Sequence, residues 1–225
     1  MGKDEFVANV LYRNALDEER IWRSNPNNRH DVLLFDEMLS EINMNGYNYK
    51  YYPDISMRKH EDKVIVDIIA NYIGQYFDEG ITGELVRSIG TKNGKIATER
   101  IIKSFFNLSE KSKHNHALFY NEALGKINDK RYISEYLLMI KSSEYAQWFG
   151  SVMNMLGKWK NDSAKLIFLD YLNSNNVDLI VTAAQALRYY KNDPDVIQAL
   201  QDCLKRNSSS APISKHVVRV LEKIV

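Results

Sequence analysis

The stretch from Lys165 to Leu204, KLIFLDYLNSNNVDLIVTAAQALRYYKNDPDVIQALQDCL, decides the fold. It reads as an apolar helix, a polar Asn/Ser turn, and a second helix built on Ala183, Ala184, Ala186 and Leu187. A break at Lys191-Asn192-Asp193-Pro194 follows, and then a third apolar helix. Pro194 stands at a first helical position, where its missing N–H costs nothing, directly behind Asp193 as cap. The same punctuation occurs earlier as Lys160-Asn161-Asp162 and as Ile127-Asn128-Asp129. A chain punctuated in this way is a string of helical pairs.

Outward from this stretch the pairing continues. Towards the end of the chain, Pro194 to Leu204 pairs with Ile213 to Ile224 across Asn207-Ser208-Ser209-Ser210. In the other direction, Ala164 to Leu172 pairs with Leu179 to Tyr190, and Tyr132 to Ile140 with Trp148 to Leu156. Ile96 to Phe106 pairs with a helix around Ala117, Leu118, Asn121 and Leu124. From Asp62, the residues Val64, Ile65, Ile68, Ile69, Tyr72, Ile73 and Phe77 form one amphipathic helix, which Gly80 is expected to stop. Thr82 is expected to cap the short partner helix carrying Leu85, Val86 and Ile89. Gly90, Gly125 and Gly157 are expected to end second helices, and the small residues Ala and Gly at this phase to let adjacent helices approach and share a core. Aligned on Ile89, Leu124, Leu156, Leu187 and Leu221, those helices are spaced by 35, 32, 31 and 34 residues, on subtraction of successive positions. The expected fold is therefore all-α, an array of five to six helical pairs. Residues 61–225 form one continuous array, and residues 1–60 form an N-terminal helical cap.

In the cap, Asp4 to Arg23 reads as a helix with an incomplete apolar stripe (Phe6, Val10, Ala15, Ile21) and a solvated Asp17-Glu18-Glu19-Arg20. A second helix is expected from about Asp31, as N-cap, through Val32, Leu33, Phe35, Met38, Leu39 and Ile42, closed by Asn45-Gly46. The segment Tyr47-Asn48-Tyr49-Lys50-Tyr51-Tyr52-Pro53 cannot belong to a long helix. Tyr47, Tyr49, Tyr51 and Tyr52 are either rings covering the open end of the array or an adhesive aromatic surface.

Composition narrows the function classes. Hydrophobic residues make up 44% of the 225, enough for a core, and ten glycines and four prolines argue against an all-β or low-complexity chain. Thirty basic residues face twenty-nine acidic ones, for a net charge of +1, so bulk charge makes no case for nucleic acid or an anionic membrane. The single cysteine, Cys203, lies in an apolar helix and reads as a small core residue in a reducing compartment. No apolar run approaches the ~20 residues of a membrane span. The N-terminus has no apolar signal core, and Phe6 breaks the myristoylation pattern that Gly2 begins. The expected location is cytoplasmic.

The segment Val181-Thr182-Ala183-Ala184-Gln185-Ala186-Leu187 and the endings Leu124-Gly125-Lys126 and Leu156-Gly157-Lys158 resemble HEAT repeats. The likeness is to the short bacterial kind, related to the HEAT-like repeats of phycobilisome lyases, and covers about three quarters of the chain. It implies a solenoid, a right-handed α-α superhelix, and is nearly silent about activity. HEAT-like deoxyhypusine hydroxylases hold two irons with several His-Glu pairs, whereas this chain has one, His60-Glu61, so that activity is not implied. HEAT-like alkylpurine DNA glycosylases share the architecture and use basic and aromatic residues on a concave face. Trp148, Trp159, Tyr189 and Tyr190 could supply aromatics here. However, thirty basic residues less the eight before Glu61 leave 22, and twenty-nine acidic less ten leave 19, a small excess for a groove that binds phosphates.

No reactive constellation appears. His114 and His116 are two apart on a helix and face different sides, so no metal is expected. Asp129, Asp162 and Asp193 recur at the repeat spacing, as helix caps do. Thr91-Lys92-Asn93-Gly94-Lys95 lacks the spacing of a phosphate-binding loop. No cofactor is expected. What remains is the concave face, which second helices line in HEAT arrays. Two positions before each aligned apolar residue stand Arg87, Glu122, Asn154, Gln185 and Arg219, and five before stand Glu84, Phe119, Ser151, Thr182 and His216. These columns are either ordinary solvated positions or a ladder gripping an extended protein partner. A non-enzymatic binding scaffold is the expected function, of an adaptor or immunity kind. A HEAT-like DNA-binding or glycosylase role is the alternative.

Overall fold

The computed structural model describes the backbone of residues 3–76, 78–142 and 144–225, and side chains from residue 9 onward. Gly2, the Phe6 side chain and Phe77 lie outside the described residues. The described chain is all-helical, with thirteen α-helices and no strand. None of these helices is long and apolar enough to cross a membrane. The chain divides into two compact units, Met1–Ile127 and Asn128–Val225.

The first unit contains α1 (Lys3–Ser24), α2 (Arg29–Met44), α3 (Tyr52–Ser56), α4 (Lys63–Tyr72), α5 (Glu79–Ser88), α6 (Thr98–Asn107) and α7 (Glu110–Ile127). Its core joins Phe35, Met38 and Ile42 of α2 to Ile69 of α4, Leu85 of α5, Ile101 and Phe105 of α6, and Tyr120 and Leu124 of α7, all fully buried. Each such side chain contributes about 1.5–3 kcal/mol. The apolar stripe expected of α1 is not what holds it, since Val10 and Ile21 are exposed. Polar anchors do so instead. The Tyr12 hydroxyl donates to Asp54 Oδ1 (2.8 Å), and Glu19, expected in solvent, is buried and accepts from the Tyr52 N–H (2.9 Å) and Arg23 Nε (2.7 Å).

Several helix ends depart from the sequence expectation for identifiable reasons. The N-cap of α2 is Asn28, and Asp31 lies buried in the first turn, where its Oδ2 accepts from the Asp78 N–H (2.8 Å). α4 is capped by Asp62, whose Oδ1 accepts from the Val64 N–H (2.8 Å), but it ends at Tyr72, short of the expected stop at Gly80, and Gly74 turns the chain at φ +82°. Gly80 and Thr82 therefore sit inside α5, which Asp78 caps through the Gly80 and Ile81 N–H groups. Gly125 and Gly157 lie in the last turns of α7 and α9, two residues and one residue before their ends.

The second unit contains α8 (Ile133–Lys141), α9 (Gly150–Lys158), α10 (Asp162–Tyr171), α11 (Val177–Leu187), α12 (Pro194–Arg206) and α13 (Ala211–Ile224). α11 packs between α9 and α13, and α10 and α12 lean on α11 and α13 respectively. A Cβ on Gly157 would stand 2.4 Å from the Ala186 carbonyl oxygen, so glycine here sets the distance between α9 and α11. The repeat is most regular in the turns. Asn128, Lys160 and Asn192 adopt left-handed φ of 56°, 53° and 57°, 32 residues apart by subtraction. The next residue caps each time: Asp129, Asn161 and Asp193 accept from the N–H groups of Arg131, Ala164 and Asp195. The cap of α10 is thus Asn161 and not Asp162. At Lys160 the Lys160 N–H bonds Gly157 O (2.9 Å) and the Asn161 N–H bonds Leu156 O (3.3 Å), the paired bonds of a Schellman ending. Hydrogen bonds about one repeat apart tie successive pairs: Tyr190 Oη to Asn161 O (2.8 Å), Lys165 Nζ to Asp193 Oδ2 (3.0 Å) and Arg206 to Leu172 O (3.3 Å). Cys203 is fully buried, and burial pushes its thiol up.

Candidate functional site

In the first unit, α5 and α7 pack closely because two glycines of the α5 segment lack side chains. A Cβ on Gly83 would stand 2.6 Å from Phe119 Cδ2, and one on Gly90 would stand 2.7 Å from Ala123 Cα. Phe119 therefore lies on α5, half-buried, between two polar neighbours. The Arg87 guanidinium sits 5.5 Å from its ring centroid, and His116 stacks on it at 6.1 Å with 21° between planes. Arg87 also pairs with Glu84 one turn back. Four of the sequence-selected positions, Glu84, Arg87, Phe119 and Glu122, thus share this face.

The linker between α3 and α4 completes it. Ser56, Met57, Arg58 and Lys59 join Arg87 and Glu122 around a cleft of about 270 Å³. The Lys59 ammonium donates to the Arg87 carbonyl. Burial, and then the cations Lys126 and Arg87, hold its pKa below the ordinary lysine value. Burial pushes the Glu84 carboxyl above its ordinary value, although Arg87 opposes this. Burial thus disfavours the charged form of both groups, and each is partly offset by the other's opposite charge. Sequence reading missed Ser56 and Lys59. They lie 28 or more residues from their partners, and no helical periodicity marks the linker.

In the second unit the columns carry no carboxylate and one guanidinium, that of Arg219. Asn154 Nδ2 donates to Gly150 O (2.8 Å), Thr182 Cγ2 lies beside Gly150, and Gln185 Nε2 meets His216 Nδ1 at 3.2 Å, joining α11 to α13. Ser151 and Arg219 are exposed. Leu221 is only half-buried while Val220 is buried, so the last helix is turned from its expected register.

The tyrosine segment splits. Tyr51 is exposed, Tyr52 packs on Phe35 (5.7 Å between centroids), and Tyr47 and Tyr49 lie half-buried with Tyr49 against His60 (5.8 Å). A hydrogen bond to Asp62 raises the Tyr47 hydroxyl pKa, so that hydroxyl has a partner and is not left to water alone.

Among the described residues no group of three or more His, Cys, Asp or Glu side chains could hold a metal ion. Compared with protein-family models, with curated proteins and with solved structures, the chain matches none.

Proposed function

We propose that this chain is a non-enzymatic helical-repeat scaffold of the HEAT type, a right-handed α-α superhelix behind a cap at residues 1–60. It grips a protein partner on the face of its second helices. The observation that carries the proposal is the mixed chemistry of the α5–α7 face: Glu84, Arg87, Glu122 and Lys59 around the half-buried ring of Phe119. Charges of both signs around an aromatic anchor suit a peptide segment, and a polyanion would meet Glu84 and Glu122. The alternative, a HEAT-like DNA-binding or glycosylase role, calls for a cationic face with an acid beside a tryptophan, and has less support on these helices.

The test is affinity capture from lysate of the source cells with wild type, Phe119→Ala and Arg87→Glu, read by mass spectrometry. One protein should be retained by the wild type and lost by both variants at unchanged melting temperature. Retention of the same proteins by all three would overturn the assignment of this face.

A further inference from the structure

The second unit carries a different chemistry at one end. Gly150 meets Thr182 and Gly157 meets Ala186, so α9 and α11 advance together. Gln185 meets His216 and the Asn192 N–H bonds Ile224 O (2.9 Å), so α11 and α13 do too. The three helices are parallel, and their C-terminal ends lie at the same end of the unit.

There, Arg188, Tyr189, Lys191 and Lys223 line a cleft of about 430 Å³ that no carboxylate enters. The Asn192–Ile224 bond holds the turn after α11 against the end of α13 and so sets Lys191 beside Lys223. Tyr189 is held by contact with Gly157, where an added Cβ would be 3.2 Å from its Cδ2. Arg188 donates to the Tyr189 hydroxyl (2.7 Å), with its guanidinium 4.8 Å from the ring centroid. In this unit Arg131, Lys165 and Lys205 pair with Asp129, Asp193 and Asp202, while among the described residues Arg188, Lys191 and Lys223, like Lys130, Lys141, Lys215 and Arg219 elsewhere in the unit, have no carboxylate partner. What sets the three apart is that they line one cleft. The neighbouring turn after α9 adds exposed Lys158 and Lys160 around Trp159, whose ring lies under Lys130 Nζ at 5.6 Å. Helix C-termini attract cations, but that attraction accounts for none of the rings.

We propose that this end of the second unit binds single-stranded nucleic acid. Cations without counter-ions take the phosphates, and Tyr189 and Trp159 offer flat surfaces on which unpaired bases stack. An acidic peptide would satisfy the cations but would not stack on the rings. The lysine cleft of the first unit (Lys59, Lys92, Lys126) contains Glu61 and no ring, and serves as the control.

The experiment is fluorescence anisotropy of a labelled fifteen-nucleotide oligothymidylate with the full chain at 50 and 200 mM NaCl. Three phosphate contacts at a slope of about −0.7 each predict that Kd rises about 20-fold between these salts. Lys191→Glu with Lys223→Glu should weaken binding at least tenfold at unchanged melting temperature. Tyr189→Leu should weaken it several-fold with the salt slope kept, and Lys92→Glu with Lys126→Glu should change it less than threefold. If the double reversal does not fold, Lys191→Gln with Lys223→Gln is measured for the same loss. The proposal is overturned by absence of binding at 50 mM NaCl, by equal losses from the two lysine pairs, or by tighter binding of a duplex or a polyglutamate peptide.

Discussion

Replacing Gly157 by alanine puts a methyl group against the backbone of the neighbouring helix. The added Cβ would stand 2.4 Å from Ala186 O and 3.1 Å from Ala186 C, where ordinary contact begins near 3.4 Å. The helices must therefore part by about 1 Å, and the obstacle is main chain, which cannot swing aside as a side-chain tip can. Overpacking of this kind costs about 1–3 kcal/mol. A glycine-to-alanine change inside a helix otherwise gains about 1 kcal/mol. Because backbone is the obstacle, the upper half of the cost applies, leaving a net loss of about 1–2 kcal/mol. The control is Gly150→Ala, whose Cβ meets only Thr182 Cγ2 at 3.4 Å. Urea unfolding followed by far-UV circular dichroism gives both midpoints. Gly157→Ala should lower the midpoint at unchanged m-value while Gly150→Ala leaves it level or raises it. A rise of the midpoint in Gly157→Ala would show that α9 and α11 do not approach at this glycine, and would refute the packing of the second unit.

Further outcomes follow from the same turns. Asn161→Ala should cost about 1 kcal/mol, because Asn161 caps α10, and Asp162→Ala only a few tenths, compared by urea midpoints. Lys160→Asn, which gives this turn the residue found at Asn128 and Asn192, should raise stability by about 0.5–1 kcal/mol in the same assay by relieving a left-handed φ of 53°. Asp54→Ala should destabilise by about 2–3 kcal/mol at pH 7, since Asp54 accepts from the Tyr12 hydroxyl and from the Lys50 and Tyr51 N–H groups. Burial opposes the charge of Asp54, but those donors hold its pKa below the usual carboxylate value of 3.8. Its contribution is therefore present above about pH 4 and lost as pH falls through the depressed value, so thermal melts between pH 5 and pH 2 should show a shallower decline in Asp54→Asn than in the wild type.

The helical class and most helix centres were legible in the sequence, because burying one face of a helix imposes a spacing of three to four apolar residues that no other local structure shares. The caps Asp129 and Asp193 were legible for the same local reason: each carboxylate meets N–H groups two or three residues on. Cap placement failed where polar residues adjoin. Asn161 and Asp162 are both competent caps, and the choice between them belongs to the Schellman turn at Lys160.

Tertiary structure decided where the glycines act. That small residues at this phase let adjacent helices approach was legible for Gly90 and Gly157, but which backbone each one meets, and that Gly83 does the same against Phe119, was not. Nothing within a few residues of Gly157 encodes Ala186, just as nothing near Lys59 encodes Arg87 and Glu122. By itself the sequence determined a chain of paired helices with polar residues at recurring positions, since periodicity and capping act over one to two turns. Which polar residues meet is set by contacts some thirty residues apart. Those contacts put Glu84, Arg87, Phe119 and Glu122 on one face of the first unit, and Arg188, Lys191 and Lys223 at one end of the second.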